Sequence, residues 1–175
     1  MIRDGFLKIA SSVDMAGLLY VGLESFPHGL PSVGSPNVIE LAGQRAVDKG
    51  QGYPLIARFD VETTLTSADA TLGFTFGIVV SSSADLSGLL VTLAQTPLLF
   101  PAIGVLGGTS YELVVPKLPT LASIGRAYMG LCVTVTATAL APGAALFSGG
   151  VLSAYVTLDT QSEVPLTTYP SGWSL

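Results

Sequence analysis

The stretch LCVTVTATALAPGAALFSGGVLSAYVTL, residues 131–158, contains no charged side chain. This run constrains the fold more than any other feature, because it is either a membrane segment or a pair of strands. A spanning helix needs about 20 unbroken apolar residues. Here Thr134, Thr136 and Thr138 alternate with Val133, Val135 and Ala137. A period of two belongs to a strand with two different faces, not to a helix. Pro142, Gly143, Gly149 and Gly150 would break a helix in any case. The run is therefore expected to be a β-hairpin with its turn near Ala141-Pro142-Gly143. An outer-membrane barrel also alternates, but it carries aromatic girdles and charged outer loops. Neither is evident in this sequence.

The same alternation recurs along most of the chain. NVIELA (37–42) alternates, and LIARFDVET (55–63) does so most clearly. Ile56, Arg58, Asp60 and Glu62 fall on one face of that strand, with Leu55, Ala57, Phe59 and Val61 on the other. TLGFTFGIVVSS (71–82), GLLVTLAQT (88–96), SYELVVP (110–116), RAYMGLCVTVTATA (126–139) and GGVLSAYVTLD (149–159) are rich in β-branched and aromatic residues. Turn chemistry separates them, as in TSADA (66–70) and SADLSG (83–88). PLLFPAIGVLGG (97–108) is broken by two prolines and a glycine pair. Short strands at regular spacing with little helix predict an all-β protein, a jelly-roll-like β-sandwich of about eight strands.

The front of the chain differs. FPHGLPSVGSP (26–36) resists regular structure, so residues 1–36 are expected to be an irregular N-terminal arm or linker, 37–159 the sandwich and 160–175 a tail. Residues 5–21 offer only a weak helical periodicity as an alternative. The arm's apolar residues Phe6, Leu18, Leu19, Tyr20 and Phe26 would be poorly placed in water and are expected to make assembly contacts. MIRDGFLKIASSVDMAGLLY carries Asp4 and Asp14 and no sustained apolar run, so no secretory leader is expected.

Composition enters through what it lacks. Charged residues make up 11% of the chain, against about 25% usually. A folded monomer of this length exposes roughly 8,000 Å², or about 400 Å² for each charged side chain. Free monomers rarely carry apolar patches much larger than that, so part of the surface is expected to be covered by other subunits. The net charge of −5 and seven scattered basic residues exclude a nucleic-acid stripe.

No residue constellation points to catalysis. Asp60 and Glu62 have the spacing of an acid/base pair, but an ion ladder with Arg58 is the simpler expectation. His28 is the sole histidine, so neither a catalytic triad with GxSxG nor a cupin-type metal site can be assembled. Cys132 is the sole cysteine, in an apolar run where a buried thiol is expected. Gly104-Val105-Leu106-Gly107-Gly108 lacks the lysine and helix of a phosphate loop. No cofactor is expected. Trp173 and Tyr169 could stack on a sugar, but a single asparagine in the chain leaves few amide partners, and aromatic anchors that pack the tail down are the simpler expectation.

Several segments together resemble a known family. NVIELA (37–42), GYPLIARFDVETTLTSADATLGF (52–74), TLAQTPLL (92–99), YELVVP (111–116) and RAYMGLCVTVTATALAPGAALFSGGV (126–151) are similar, in order and spacing, to the capsid cement (decoration) proteins of tailed bacteriophages. The TTLTSADA turn and the TVTATALAPG segment are the most specific pieces. The resemblance implies a jelly-roll subunit that binds the outer capsid surface as a homotrimer and bridges neighbouring copies of the major capsid protein. It implies a virion protein made in the host cytoplasm, with no catalytic residues to transfer. The chain departs from the family at both ends, where residues 1–30 look like an added arm and the segment past Asp159 looks extended. The alternative expectation is a virion receptor- or glycan-binding jelly-roll module centred on Trp173.

Overall fold

The computed structural model describes residues 6–19, 28–29, 31–32, 35–36, 38–40, 55–86, 90–115 and 128–158. These residues form an all-β sandwich. In chain order the strands are β1 (Phe6–Asp14), β2 (His28–Gly29), β3 (Pro31–Ser32), β4 (Ser35–Pro36), β5 (Val38–Glu40), β6 (Leu55–Thr66), β7 (Gly73–Ser81), β8 (Leu90–Gln95), β9 (Thr109–Val114), β10 (Tyr128–Ala137) and β11 (Gly149–Leu158). Two single-turn 3₁₀ helices, Met15–Gly17 and Pro101–Ile103, are the only helical elements among the described residues.

One sheet has the order β1-β11-β6-β9. The other runs β2-β10-β7-β8, and β5 also pairs with β10. All these pairings are antiparallel. The edge position beside β10 is thus shared by two short pieces of chain. Gly29 and His28 face Cys132 and Val133, while Val38, Ile39 and Glu40 face Gly130, Met129 and Tyr128. Between them β3 and β4 pair with each other as a separate ribbon.

Period-two patterning places the core. Ala57, Phe59 and Val61 point inward from β6, and Phe74, Phe76, Ile78 and Val80 from β7. Phe59 and Phe76 stack across the gap between the sheets with ring centroids 4.8 Å apart. Phe74 meets Phe76 and Phe147 edge to face, at 5.3 and 5.2 Å. Such offset and edge contacts suit the quadrupoles of the rings and add to the area they bury.

Two expectations need correction. First, β10 and β11 do not form a hairpin. β10 pairs with β7, β2 and β5, whereas β11 pairs with β1 and β6. A tight turn does occur, with Ala144 N donating to the Ala141 carbonyl at 3.1 Å. Beyond it, Leu146 and Phe147 are fully buried in the sandwich end. Burying them carries the chain from one sheet to the other instead of back along its neighbour. Second, residues 6–14 lie inside the segment expected to be an arm, yet they form β1, the edge strand beside β11. Register shifts between Lys8 and Ala10 and between Ala10 and Val13 mark irregular pairing. Ser12 there has φ 47. These shifts place Ile9, Ala10 and Met15 in the core and erase the alternation that would betray a strand. FPHGLPSVGSP likewise contributes β2, β3 and β4 instead of being wholly irregular.

Glycine is required where β11 begins. Gly150 has φ +125, and a Cβ there would lie 2.5 Å from Leu65 Cδ2 and 2.9 Å from Leu65 Cα. Pairing of β11 with β6 is also irregular at this point. Only a residue without a side chain lets the two backbones close over the end of the core.

Candidate interaction surfaces

The outer face of the β1-β11-β6-β9 sheet carries a closed polar network. Strand register sets Arg58 beside Tyr155 and Glu112, and Asp60 beside Ser153 and Ser110. Arg58 Nε donates to Asp60 Oδ1 at 2.8 Å, and Arg58 Nη2 donates to Ser110 Oγ at 3.0 Å. The Ser110 hydroxyl donates to Asp60 Oδ1 at 2.5 Å, and the Tyr155 hydroxyl donates to Asp60 Oδ2 at 2.8 Å. Glu112 Oε1 lies 3.4 Å from Arg58 Nη1. A second cluster adjoins it toward β1. The Ser153 and Ser12 hydroxyls both donate to Glu62 Oε1, and Ser12 N donates to Ser153 Oγ at 2.8 Å.

These contacts join Asp60 to Arg58, as a ladder on this face would. Burial disfavours ionised Asp60, but hydrogen bonds from Ser110, Arg58 and Tyr155 outweigh it and hold the carboxyl below its usual range. Burial and the bond to Asp60 both push the Tyr155 phenol up, so it remains a donor. The face is an ion and hydroxyl ladder whose groups satisfy one another.

The outer face of the other sheet is built differently. Gly73, Thr75, Gly77, Val79 and Ser81 point outward from β7, and all nine residues of that strand are buried. Thr134 stands opposite Thr75, Cys132 opposite Gly77 and Gly130 opposite Val79. Leu86 packs over this face with Val79 and Cys132. A Cβ on Gly130 would come within 2.6 Å of Leu86 Cδ1, so the glycine makes room for that leucine. Burial pushes the Cys132 thiol up to about 12, against weaker opposing bonds to Thr134 and the Gly77 carbonyl. That thiol is not an available nucleophile.

The third surface is one end of the sandwich. Strand directions bring residues 15–19, 67–72, 96–108 and 138–148 together there. Backbone hydrogen bonds tie the loops to the strands and to each other. Leu65 N donates to Val105 O at 3.0 Å, Leu99 N to Phe74 O at 2.8 Å and Leu146 N to Leu18 O at 2.9 Å. Asp69 is the one charged residue in these four segments. Its Oδ1 accepts from Thr71 N and Oγ1 at 2.8 and 2.7 Å, and its Oδ2 accepts from Thr138 Oγ1 and Ala139 N at 2.7 and 2.8 Å. The Thr138 hydroxyl, with Thr71 next, holds the Asp69 carboxyl well below its usual range. Asp14, at the end of β1, accepts from Ala16 N at 2.9 Å. The outward side chains are apolar: Ile103 is 83% exposed, Leu106 59%, Leu19 52% and Leu98 44%.

The residues expected to make assembly contacts are dispersed. Phe6 starts β1, its backbone opposite Thr157. Leu18 is half-buried against the core. Leu19 is exposed and bridges to Ala145. Tyr20 and Phe26 lie outside the described residues, as do Tyr169, Trp173 and the whole tail 160–175. His28 is in β2. Sequence reasoning passed over Ile103 and Leu106. Two isolated apolar residues in a proline-broken segment were the only signal, and such a segment gives no sign of which side chains the fold leaves outside. Among the described residues, no cluster of three or more His, Cys, Asp or Glu could hold a metal ion, and no helix is long and apolar enough to cross a membrane.

No family model, curated protein or solved structure matches this chain.

Proposed function

We propose that this protein is a capsid cement protein, a jelly-roll subunit that binds the outer surface of a viral shell as a trimer and ties neighbouring major capsid subunits together. The observation that carries the reading is the strand order. Setting aside the β3-β4 ribbon and taking β2 and β5 as the two parts of one strand gives eight positions, ordered 1-8-3-6 in one sheet and 2-7-4-5 in the other. First pairs with last, second with seventh, third with sixth and fourth with fifth, as in a long hairpin rolled up into two sheets. That order supports the jelly-roll reading, the fold that the family resemblance implies. The two most specific pieces of the resemblance also meet in space. Asp69 of the TTLTSADA turn accepts from Thr138 and Ala139 of the TVTATALAPG segment.

A cement role needs no reacting groups. A trimer that holds several shell subunits at once binds by avidity, so a joint opens only when many contacts are lost together. A low-charge surface suits contacts of that kind, because few charges must be stripped of water. The experiment compares survival of capsids with and without the protein under heat and osmotic shock. Higher survival with the protein is expected, and equal survival would remove the cement role.

A further inference from the structure

We infer that the free edge of β9 is a strand-addition site, and that its occupant is the chain's own tail, residues 164–169. The inference stands on the edges of the sandwich and not on the cement reading. An edge strand carries a row of unpaired N–H and C=O groups, and folded proteins blunt such rows with irregular pairing, proline, charge or short length. Three of the four edges formed by the described residues are blunted. β1 pairs with two register shifts and holds Ser12 at φ 47. β8 pairs with a register shift between Ile78 and Val79. The edge beside β10 is made of the two-residue β2 and the three-residue β5. β9 differs from all of these. Its residues TSYELV include no proline, glycine or basic residue, and they pair with β6 without a shift. Among the described residues it has a neighbouring strand on one side only.

The backbone fixes which groups of β9 face outward. Val61 O accepts from Gly108 N at 2.7 Å and Leu65 N donates to Val105 O at 3.0 Å, while Ser148 N donates to Thr66 O on the β11 side. Odd-numbered residues of β6 therefore turn toward β9. Antiparallel alternation then bonds Tyr111 and Leu113 to Phe59 and Ala57, and turns the N–H and C=O of Ser110, Glu112 and Val114 outward. The tail matches that pattern. Residues 164–169 number as many as β9 has, and laid antiparallel in full overlap they set Val164, Leu166 and Thr168 opposite Val114, Glu112 and Ser110. Pro165, which has no N–H, then turns its nitrogen to solvent, the way an edge strand accepts proline. Pro170 falls in the opposite phase, where a donor is needed, so the strand stops at Tyr169. Val164 comes beside Val114, which is 59% exposed. The connection also reaches. β11 ends at Leu158, level with Leu55, and Val114 is level with Ile56. Passing β6 and β9 takes three strand spacings, about 14 Å, and residues 159–163 span up to about 17 Å. A second copy fits less well, because two β9 edges meeting about Glu112 set that carboxylate against itself.

Amide hydrogen exchange on the full chain, followed residue by residue by NMR, tests the inference. In the wild type the N–H groups of Ser110, Glu112 and Val114 should exchange about as slowly as those of Tyr111 and Leu113, which bond to β6. Two neighbouring substitutions of one residue type then separate pairing from any general effect of proline. Thr168→Pro removes an N–H that faces β9 and should speed exchange at Ser110 and Glu112 at least about tenfold. Thr167→Pro removes an N–H that faces solvent, in the phase of Pro165, and should leave all three amides protected. Fast exchange at Ser110, Glu112 and Val114 in the wild type would overturn the inference. So would protection indifferent to Thr168→Pro, or protection that Thr167→Pro abolishes equally. Protection that rises with protein concentration would assign the edge to a second copy and overturn it as well.

Discussion

The two outer faces of the sandwich share a fold and almost nothing else. One presents Arg58, Asp60, Glu62, Ser110, Glu112, Ser153 and Tyr155, polar groups joined across three strands. The other presents Gly73, Thr75, Gly77, Val79, Gly130, Cys132 and Thr134, small and uncharged, with Leu86 laid across part of it. A chain with so few charges has gathered several of them on a single face. The inner faces, by contrast, are alike in being apolar and aromatic. The asymmetry therefore lies in what each sheet does outside the core, and not in how the core is made.

The largest expected effect tests that common core. Phe76 is fully buried, stacks on Phe59 of the opposite sheet, and touches Phe74 and Tyr111. Phe76→Ala should cost about 3–5 kcal/mol, from lost transfer energy and the cavity left between the sheets. Urea unfolding would measure it, with tyrosine fluorescence and circular dichroism as separate probes. Coincident loss at a lower midpoint is expected. If the probes separated, the two sheets would be independently stable and the shared core would not be what joins the two faces.

How far the sequence disclosed this arrangement depended on regularity. β6 alternates over most of its length, so the pattern of residues alone assigns both its faces, and Arg58, Asp60 and Glu62 do share one of them. β1 could not be read because its pairing with β11 shifts twice, which puts Ile9 and Ala10 into the core side by side. Alternation also says nothing about partners. β10 and β11 were both recognisable as strands, yet their separation into different sheets depends on Leu146 and Phe147 filling the end of the sandwich. The exposed Ile103 was hidden for a related reason. In a loop, no period marks which apolar side chain faces in, and Val105 and Ile103 differ in exposure though only two residues apart.

A middle-sized effect should come from the polar face. Asp60→Asn leaves Arg58, Ser110 and Tyr155 with a neutral, weaker acceptor and should cost about 1–2 kcal/mol at neutral pH, since the site is partly open to water. The pH dependence has a definite sign. Asp60 has a lower pKa folded than unfolded, so its contribution is complete above the unfolded value of about 3.9 and is lost as pH falls through the folded one. Asp69 acts in the same direction. Melting midpoints measured between pH 7 and pH 2 should therefore drop below about pH 4, and Asp60→Asn should flatten that drop. An unchanged acid slope would mean that the network on this face contributes no net stability.

The smallest effect should have the opposite sign and comes from the other face. Thr75 is buried in the middle of β7, and its hydroxyl has no hydrogen-bonding partner. It stands opposite Thr134 and between Gly73 and Gly77. A buried hydroxyl without a partner has lost its water and regained nothing. Thr75→Val keeps the shape and the β-branch while exchanging that hydroxyl for a methyl group, so it should stabilise the fold by up to about 1 kcal/mol. Thermal and urea unfolding of the variant beside Asp60→Asn would set the two faces directly against each other. A polar group removed from the charged face should lower the midpoint, and one removed from the neutral face should raise it. If Thr75→Val were destabilising as well, the hydroxyl would be engaged after all. The neutral face would then be held together by polar contacts, as its counterpart is, and the contrast between the two would reduce to formal charge.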